Sequence, residues 1–196
     1  MLPPRTLSTS LPAPAEQRRW RSQVLPTLRG TVLDVGAGPG FCGAVLDPQV
    51  SWLALEPRPG RRLTAAVRSR PRSRLLEATA EQVPLEDGSV DAVVCSTVLC
   101  SVTDPAHALA EILRVLRPCG RLVFFEHVAA PPGTAARHVQ GLAAPLTRLL
   151  GHGCDPCRDT AATIYQAGFS AVELETLRTG GLLGRLVPVV QGQAVR

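Results

Sequence analysis

Lysine and asparagine are absent from this chain of 196 residues; all 21 basic residues are arginine. Without lysine there is no Schiff-base amine and no P-loop lysine to reach nucleotide phosphates. Without asparagine there is no N-glycosylation sequon. Aromatic residues make up only 4%, which leaves few rings on which nucleobases could stack. No run of ~18 apolar residues exists, so nothing reads as a membrane span, and no secretory signal peptide is visible. The net charge of +5 is spread over scattered arginines. The densest group, Arg58, Arg61, Arg62, Arg68, Arg70, Arg72 and Arg74, reads as the solvated face of a helix, and no nucleic-acid partner is expected.

What is present suits one globular domain, with 45% apolar and 19% charged residues. The six cysteines are even in number, but some lie in or beside an apolar run that reads as a buried strand. A domain of this size needs no staples, so a reducing, intracellular and cytoplasmic setting is expected. Residues 1–15, with four prolines, read as a flexible leader, and residues 16–28 as a short helix carrying Trp20, Val24 and Leu25. Residues 1–28 are thus set apart from a main domain at 29–196.

From Thr31 onward, short apolar runs at 31–35, 51–55, 90–95 and 121–125 have the length and composition of buried strands. Helical stretches lie between them. In the clearest, at 104–116, Asp104 is the N-cap, Pro105 takes the first helical position, and Leu109, Ile112, Leu113 and Leu116 share a face. Residues 117–120 read as the turn that stops it. Further helices are expected near 134–150 and 158–167, and strands at 171–177 and 186–195. Alternating strands and helices imply right-handed βαβ units: an α/β, doubly wound, mostly parallel sheet covered on both faces, in three layers.

The strongest local signal is Val32-Leu33-Asp34-Val35-Gly36-Ala37-Gly38-Pro39-Gly40, an apolar strand running into a glycine-rich turn expected to open a helix. Glycine there lets the backbone approach a ligand closely. Leu53-Ala54-Leu55-Glu56 follows, a second strand ending in a carboxylate placed to accept both ribose hydroxyls of an adenosyl ligand. Dinucleotide sites want Gly-x-Gly-x-x-Gly; here the spacing is Gly-x-Gly-x-Gly, and Phe41 stands where their third glycine would be. A nicotinamide dehydrogenase is therefore disfavoured.

Downstream, the segments 84–94 and 113–122 resemble, in order and spacing, the turn and fourth strand, and the fourth-to-fifth-strand connection, of class I S-adenosylmethionine-dependent methyltransferases. That resemblance implies a seven-stranded sheet with the last strand antiparallel, and S-adenosyl-L-methionine as cofactor. Gly36, Ala37 and Gly38 would line its methionine part, Asp34 would act on the ammonium directly or through water, and Glu56 would hold the ribose. Thr79 and Ala80 would lie against the adenine, although many relatives carry aspartate where this chain has Thr79. Cys95 and Ser96 would border the methionine moiety.

The resemblance sharpens at Val94-Cys95-Ser96-Thr97-Val98-Leu99-Cys100-Ser101-Val102 and Glu126-His127-Val128-Ala129-Ala130, and extends more faintly to Gly153-Cys154 and the C-terminus. There the chain is similar to the thiol S-methyltransferase family, methyltransferase-like proteins of endoplasmic reticulum membranes and lipid droplets. The likeness implies a small alkyl thiol as acceptor and allows peripheral association with those membranes. Family members begin with a hydrophobic anchor where this chain has a proline-rich leader, which leaves membrane attachment open.

A small thiol with pKa near ~8.5 is only a few per cent thiolate at neutral pH, so a base within reach would help. His127, at the carboxyl end of the fifth strand, is the expected acceptor-site residue or base; a histidine hydrogen-bonded for structure is the alternative. No Asn/Asp-Pro-Pro-aromatic motif follows the fourth strand, which lowers a nucleic-acid or protein N-methyltransferase reading. Other small O-, N- or C-acceptors stay open, as does a silent binding module of the same fold. His152, Cys154 and Cys157 lack the partners of a zinc set and read as incidental loop residues, so no metal is expected.

Overall fold

Continuous apolar runs explain where the strands fall, because a strand covered on both faces has no solvent side to mark with polar residues. In the computed structural model, which describes residues 5–8, 13–150, 153–178 and 188–196, the runs become β2 (Thr31–Val35), β3 (Ser51–Leu55), β5 (Val90–Ser96) and β6 (Leu116–His127). The other strands are β1 (Arg5–Ser8), β4 (Ser73–Leu76), β7 (Ala171–Arg178) and β8 (Val189–Val195). The sheet order is β1-β7-β8-β6-β5-β2-β3-β4. The pairs among β6, β5, β2, β3 and β4 are parallel, and β8 runs antiparallel to both β6 and β7. The seven strands β2 to β8 thus form the expected mostly parallel sheet with its last strand reversed.

Two departures lie at the N-terminus. Arg5–Ser8, inside the stretch read as a flexible leader, is a strand paired parallel with β7; it satisfies backbone groups that an edge strand would otherwise leave open. Helix α1 spans Ala13–Val24 and continues as a 3-10 turn, Leu25–Thr27, so it starts three residues earlier than its apolar face alone suggests.

Alternation along the strands divides the core into two clusters. On one face Leu33, Val35, Val93, Leu122 and Phe124 pack against α3 (Pro105–Val115) and α5 (Thr160–Gln166) through Leu109, Ile112 and Ile164. On the other, Val32, Trp52, Val94 and Phe125 meet α1 through Trp20 and α2 (Arg61–Ser69) through Leu63. Asp104 caps α3 as expected, its carboxylate accepting from the amides of Ala106 and His107.

Helix α4 (Ala135–Leu150) carries Pro145 and leaves Val139, Leu142, Leu146 and Leu149 exposed. Among the described residues no helix is long and apolar enough to cross a membrane. Residues 186 and 187, expected to begin the last strand, lie outside the described residues.

The helix expected after the glycine-rich turn does not form; residues 38–45 are a succession of turns. Pro39 removes an amide, and Gly40 holds φ at +86, a left-handed value that cannot propagate a right-handed helix. Residues 117–120, read as a turn, belong to β6. There Cys119 takes φ +64, and the pairing with β5 shifts register between Val90 and Ala92, so the turn chemistry is absorbed as an irregularity within the strand.

Candidate active site

The parallel register of β2 and β3 sets Val35 opposite Leu55, so the residues that follow each strand emerge side by side at the carboxyl edge. Parallel sheets bind ligands at this edge. The Ala37 amide donates to the Leu55 carbonyl at 3.0 Å, and the Gly38 amide donates to Glu56 Oε2 at 3.1 Å. Gly36 has φ +62, and a β-carbon there would lie 2.4 Å from Val98 Cγ2, so only glycine fits under that side chain. A β-carbon at Gly38 would meet nothing nearer than the Gly36 carbonyl at 3.8 Å: the turn presents bare backbone. Bare backbone beside a carboxylate is the donor and acceptor set a nucleoside cofactor with an amino-acid tail requires, and these residues fit it.

Helix α1 forms one wall of this crevice, a contribution with no signal in the residue pattern. Gln17 Nε2 and an Arg21 guanidinium nitrogen each donate to Ser96 Oγ at 3.1 Å. The guanidinium of Arg21 also lies 5.5 Å from the Phe41 ring centroid, with that of Arg62 at 5.3 Å. Phe41, which replaces a glycine of the dinucleotide pattern, is therefore a half-exposed ring held by two cations at the rim.

Asp34 lies beneath the turn, 1% exposed, and accepts a hydrogen bond from Trp52 Nε1 at 3.2 Å. Burial pushes its carboxyl up to about 7, against hydrogen bonds from Cys42 and Trp52 and the charge of Arg21, and with the nearby Glu56 charge adding to the rise. The folded pKa exceeds the unfolded one, so the folded chain holds a proton that the unfolded chain has released. This contribution to stability is complete below pH ~4 and is lost as pH rises to about 7. Asp34→Asn, which mimics the neutral acid, should make the fall of the unfolding midpoint over this interval shallower, the remainder coming from the buried carboxyl of Glu126; an unchanged slope would show that Asp34 contributes nothing to it.

The other expected residues are placed unequally. Ser96 borders the crevice. Cys95 does not: its side chain is fully buried in the cluster on the opposite face, with Leu33 and Leu109, because strand alternation turns it away from Ser96. Only its backbone remains for a ligand. Thr79 is exposed and Ala80 buried, in a loop whose Glu81 accepts from the amides of Thr103 and Asp104.

Past β5 the chain turns sharply. Thr97 adopts φ +61, uncommon for a β-branched residue and costly by ~1–3 kcal/mol, and its amide donates to Phe125 O at 2.7 Å. The turn brings Val98 onto Gly36 and aims the amides of Val98 and Cys100 at Glu126, whose two carboxyl oxygens accept them at 2.9 and 3.3 Å. Glu126 is fully buried, and burial pushes its carboxyl up to about 8.

His127, ending β6, is half-buried. Its Nδ1 lies 3.7 Å from Cys100 Sγ and 3.6 Å from Cys154 Sγ. The contact with Cys154, followed by burial, pushes the Cys100 thiol up to about 12. Just beyond, among the described residues, a cavity of about 260 Å³ is lined by Val128, Ala130, Pro131, Arg137, Asp159 and Val190.

Fold and crevice together define a class I methyltransferase. Residues 33–124 match the methyltransferase-domain family model. The chain is 37% identical over 151 residues to rat thiol S-methyltransferase TMT1B, a match covering 74% of this chain and 62% of that protein. It is 32% identical over 177 residues to human thiol S-methyltransferase TMT1A, covering 87% and 72%. It therefore belongs to the S-adenosylmethionine-dependent methyltransferases, in the family of TMT1A and TMT1B, and spans about three-fifths of the length of the rat TMT1B it matches.

Among solved structures, Burkholderia thailandensis 1,6-didemethyltoxoflavin-N1-methyltransferase superposes with a TM-score of 0.69 at 16% identity, covering 92% of this chain and 78% of that one. The [4+2]-cyclase SpnF superposes with a TM-score of 0.70 at 18% identity, covering 93% and 81%. The cyclase is a reminder that the scaffold alone does not set the reaction.

Proposed function

We propose that the chain methylates the sulfur of a small, apolar thiol. The observation that carries the reading is the half-buried imidazole of His127 at the carboxyl edge of the sheet, next in the chain to Val128, which lines a cavity of small-molecule size whose mixed wall also carries Arg137 and Asp159. The names of its thiol-methylating relatives support the same acceptor class. S-adenosylmethionine, when bound, supplies a methyl group on a sulfonium that a thiolate can attack in line.

The chain's own residues position and activate. Glu56 would accept from the ribose hydroxyls, the backbone of Gly36, Ala37 and Gly38 would face the methionine part, and Thr79 and Ala80 would border the adenine. Ser96, fixed by Gln17 and Arg21, would close the crevice on the β5 side. His127 would take the acceptor's proton, raising the thiolate fraction where the methyl waits.

Incubation with methyl-labelled S-adenosylmethionine and a panel of thiols, phenols and amines tests this. Label on alkyl thiols is expected; label on phenols or amines alone would replace the thiol by that acceptor. Calorimetric titration should show binding of S-adenosylmethionine and none of NAD, and the reverse would reject the cofactor site itself.

A further inference from the structure

Three metal-ligating atoms from three distant segments converge past the end of β6. Cys100 lies in the loop after β5, His127 ends β6, and Cys154 precedes α5. The separations are 3.6 Å between the two sulfurs, 3.7 Å from Cys100 Sγ to His127 Nδ1, and 3.6 Å from Cys154 Sγ to the same nitrogen. Around a tetrahedral zinc ion, bond lengths of about 2.3 Å to sulfur and about 2.0–2.1 Å to nitrogen separate neighbouring ligands by about 3.8 Å (S···S) and about 3.6 Å (S···N). The triangle already has nearly the dimensions of one tetrahedral face.

The surrounding backbone holds that triangle in place. Glu126 fixes the Cys100 amide, and Arg158 donates to the carbonyls of Leu99 and Val102. The Asp155 amide donates to the Cys100 carbonyl at 2.9 Å, clamping the Cys154 segment onto the Cys100 loop. Gly153, at φ +88, permits the approach; a β-carbon there would lie 3.1 Å from the Ser101 carbonyl. The Thr160 hydroxyl donates to the His127 carbonyl at 3.0 Å. Sites held this way from outside bind without first paying to order their ligands.

We infer that Cys100, His127 and Cys154 form a binding site for one tetrahedrally coordinated, thiophilic divalent cation of the zinc type, with a fourth position left open. Two thiols and an imidazole favour such an ion over magnesium or calcium, which take oxygen ligands. Binding forms two metal–sulfur bonds and one metal–nitrogen bond and releases the two thiol protons to solvent, leaving the cluster neutral. The Ser101 hydroxyl lies 3.7 Å from Cys100 Sγ. Three protein ligands and a vacancy are the pattern of catalytic rather than structural zinc. Cys157, despite its Cys-x-x-Cys spacing from Cys154, stands outside the cluster; its amide donates to Asp155 and its carbonyl accepts from Arg137.

The test reads metal and not methyl transfer, so it stands or fails separately from the thiol acceptor. The full chain, reduced and stripped of metal, is titrated with cobalt(II). One equivalent should develop a thiolate-to-cobalt charge-transfer band with the visible bands of a tetrahedral ion, and zinc should displace both. Cys154→Ser, at a half-buried position, should lose the band while its metal-free unfolding midpoint holds. Cys157→Ser should keep it. Absence of the band in folded, reduced protein overturns the inference, as does equal loss in Cys157→Ser and Cys154→Ser. A Cys100–Cys154 disulfide in protein that takes up no metal after reduction overturns it too.

Discussion

Turnover of a thiol acceptor is expected to fall by ~10²–10⁴-fold when His127 is replaced by Ala, with affinity for S-adenosylmethionine unchanged. The separation of the two effects follows from the sheet order. His127 ends β6 and Glu56 follows β3, with β5 and β2 between them. At ~4.8 Å per strand the two residues stand ~14 Å apart, too far for one side chain to serve both ends of the crevice. His127→Gln keeps a hydrogen-bonding group but cannot take a proton, and it should be as slow as His127→Ala if the imidazole is a base. Recovery of turnover in the Gln variant would mean that His127 only holds structure. Cys154→Ser adds a second discrimination. An imidazole that holds a cation through Nδ1 carries its proton on Nε2 and cannot serve as base, so the two roles of His127 exclude each other. A matching loss of turnover in Cys154→Ser indicates that the cluster acts through a bound cation, whereas full activity leaves the imidazole working alone as base.

Much of the scaffold was legible because its signals are local. Thr31–Val35 and Ser51–Leu55 are short apolar runs with no competing helical period, and both are strands with the expected ends. Strand β4 has no clear sequence signal because Ser73 and Arg74 make half of it polar, as suits an edge with partial exposure. The glycine-rich segment marks a turn, which the structure has, but not the start of a helix, because Pro39 and Gly40 stop one from forming.

The candidate site divides along the same line. Asp34, Gly36, Ala37, Gly38 and Glu56 sit at the ends of neighbouring strands, so strand pattern alone predicts their meeting. Gln17 and Arg21 reach Ser96 across 79 and 75 residues, a packing of α1 that no spacing rule encodes. Cys100 and Cys154, 54 positions apart, are likewise joined only by tertiary structure. In the sequence Cys154 points instead to Cys157, which the fold turns elsewhere.

Glu56→Ala should weaken S-adenosylmethionine binding by ~10²–10⁴-fold, since two hydrogen bonds from ribose hydroxyls to a carboxylate are worth ~1.5–3 kcal/mol each. Its cost to folding should stay within ~0.5 kcal/mol. Glu56 is only half-buried and forms no ion pair among the described residues, and its own partners are the amides of Gly38 at 3.1 Å and Arg58 at 3.4 Å. Both amides can turn to water when the carboxylate is gone. Glu56→Gln keeps one acceptor oxygen and loses the charge, so its affinity should fall between those of the parent and Glu56→Ala. Calorimetric titration of the three proteins, beside their unfolding midpoints, reads both quantities. Parent-like affinity in Glu56→Ala would place the ribose elsewhere, and would leave the carboxylate as no more than a brace for the Gly38 turn.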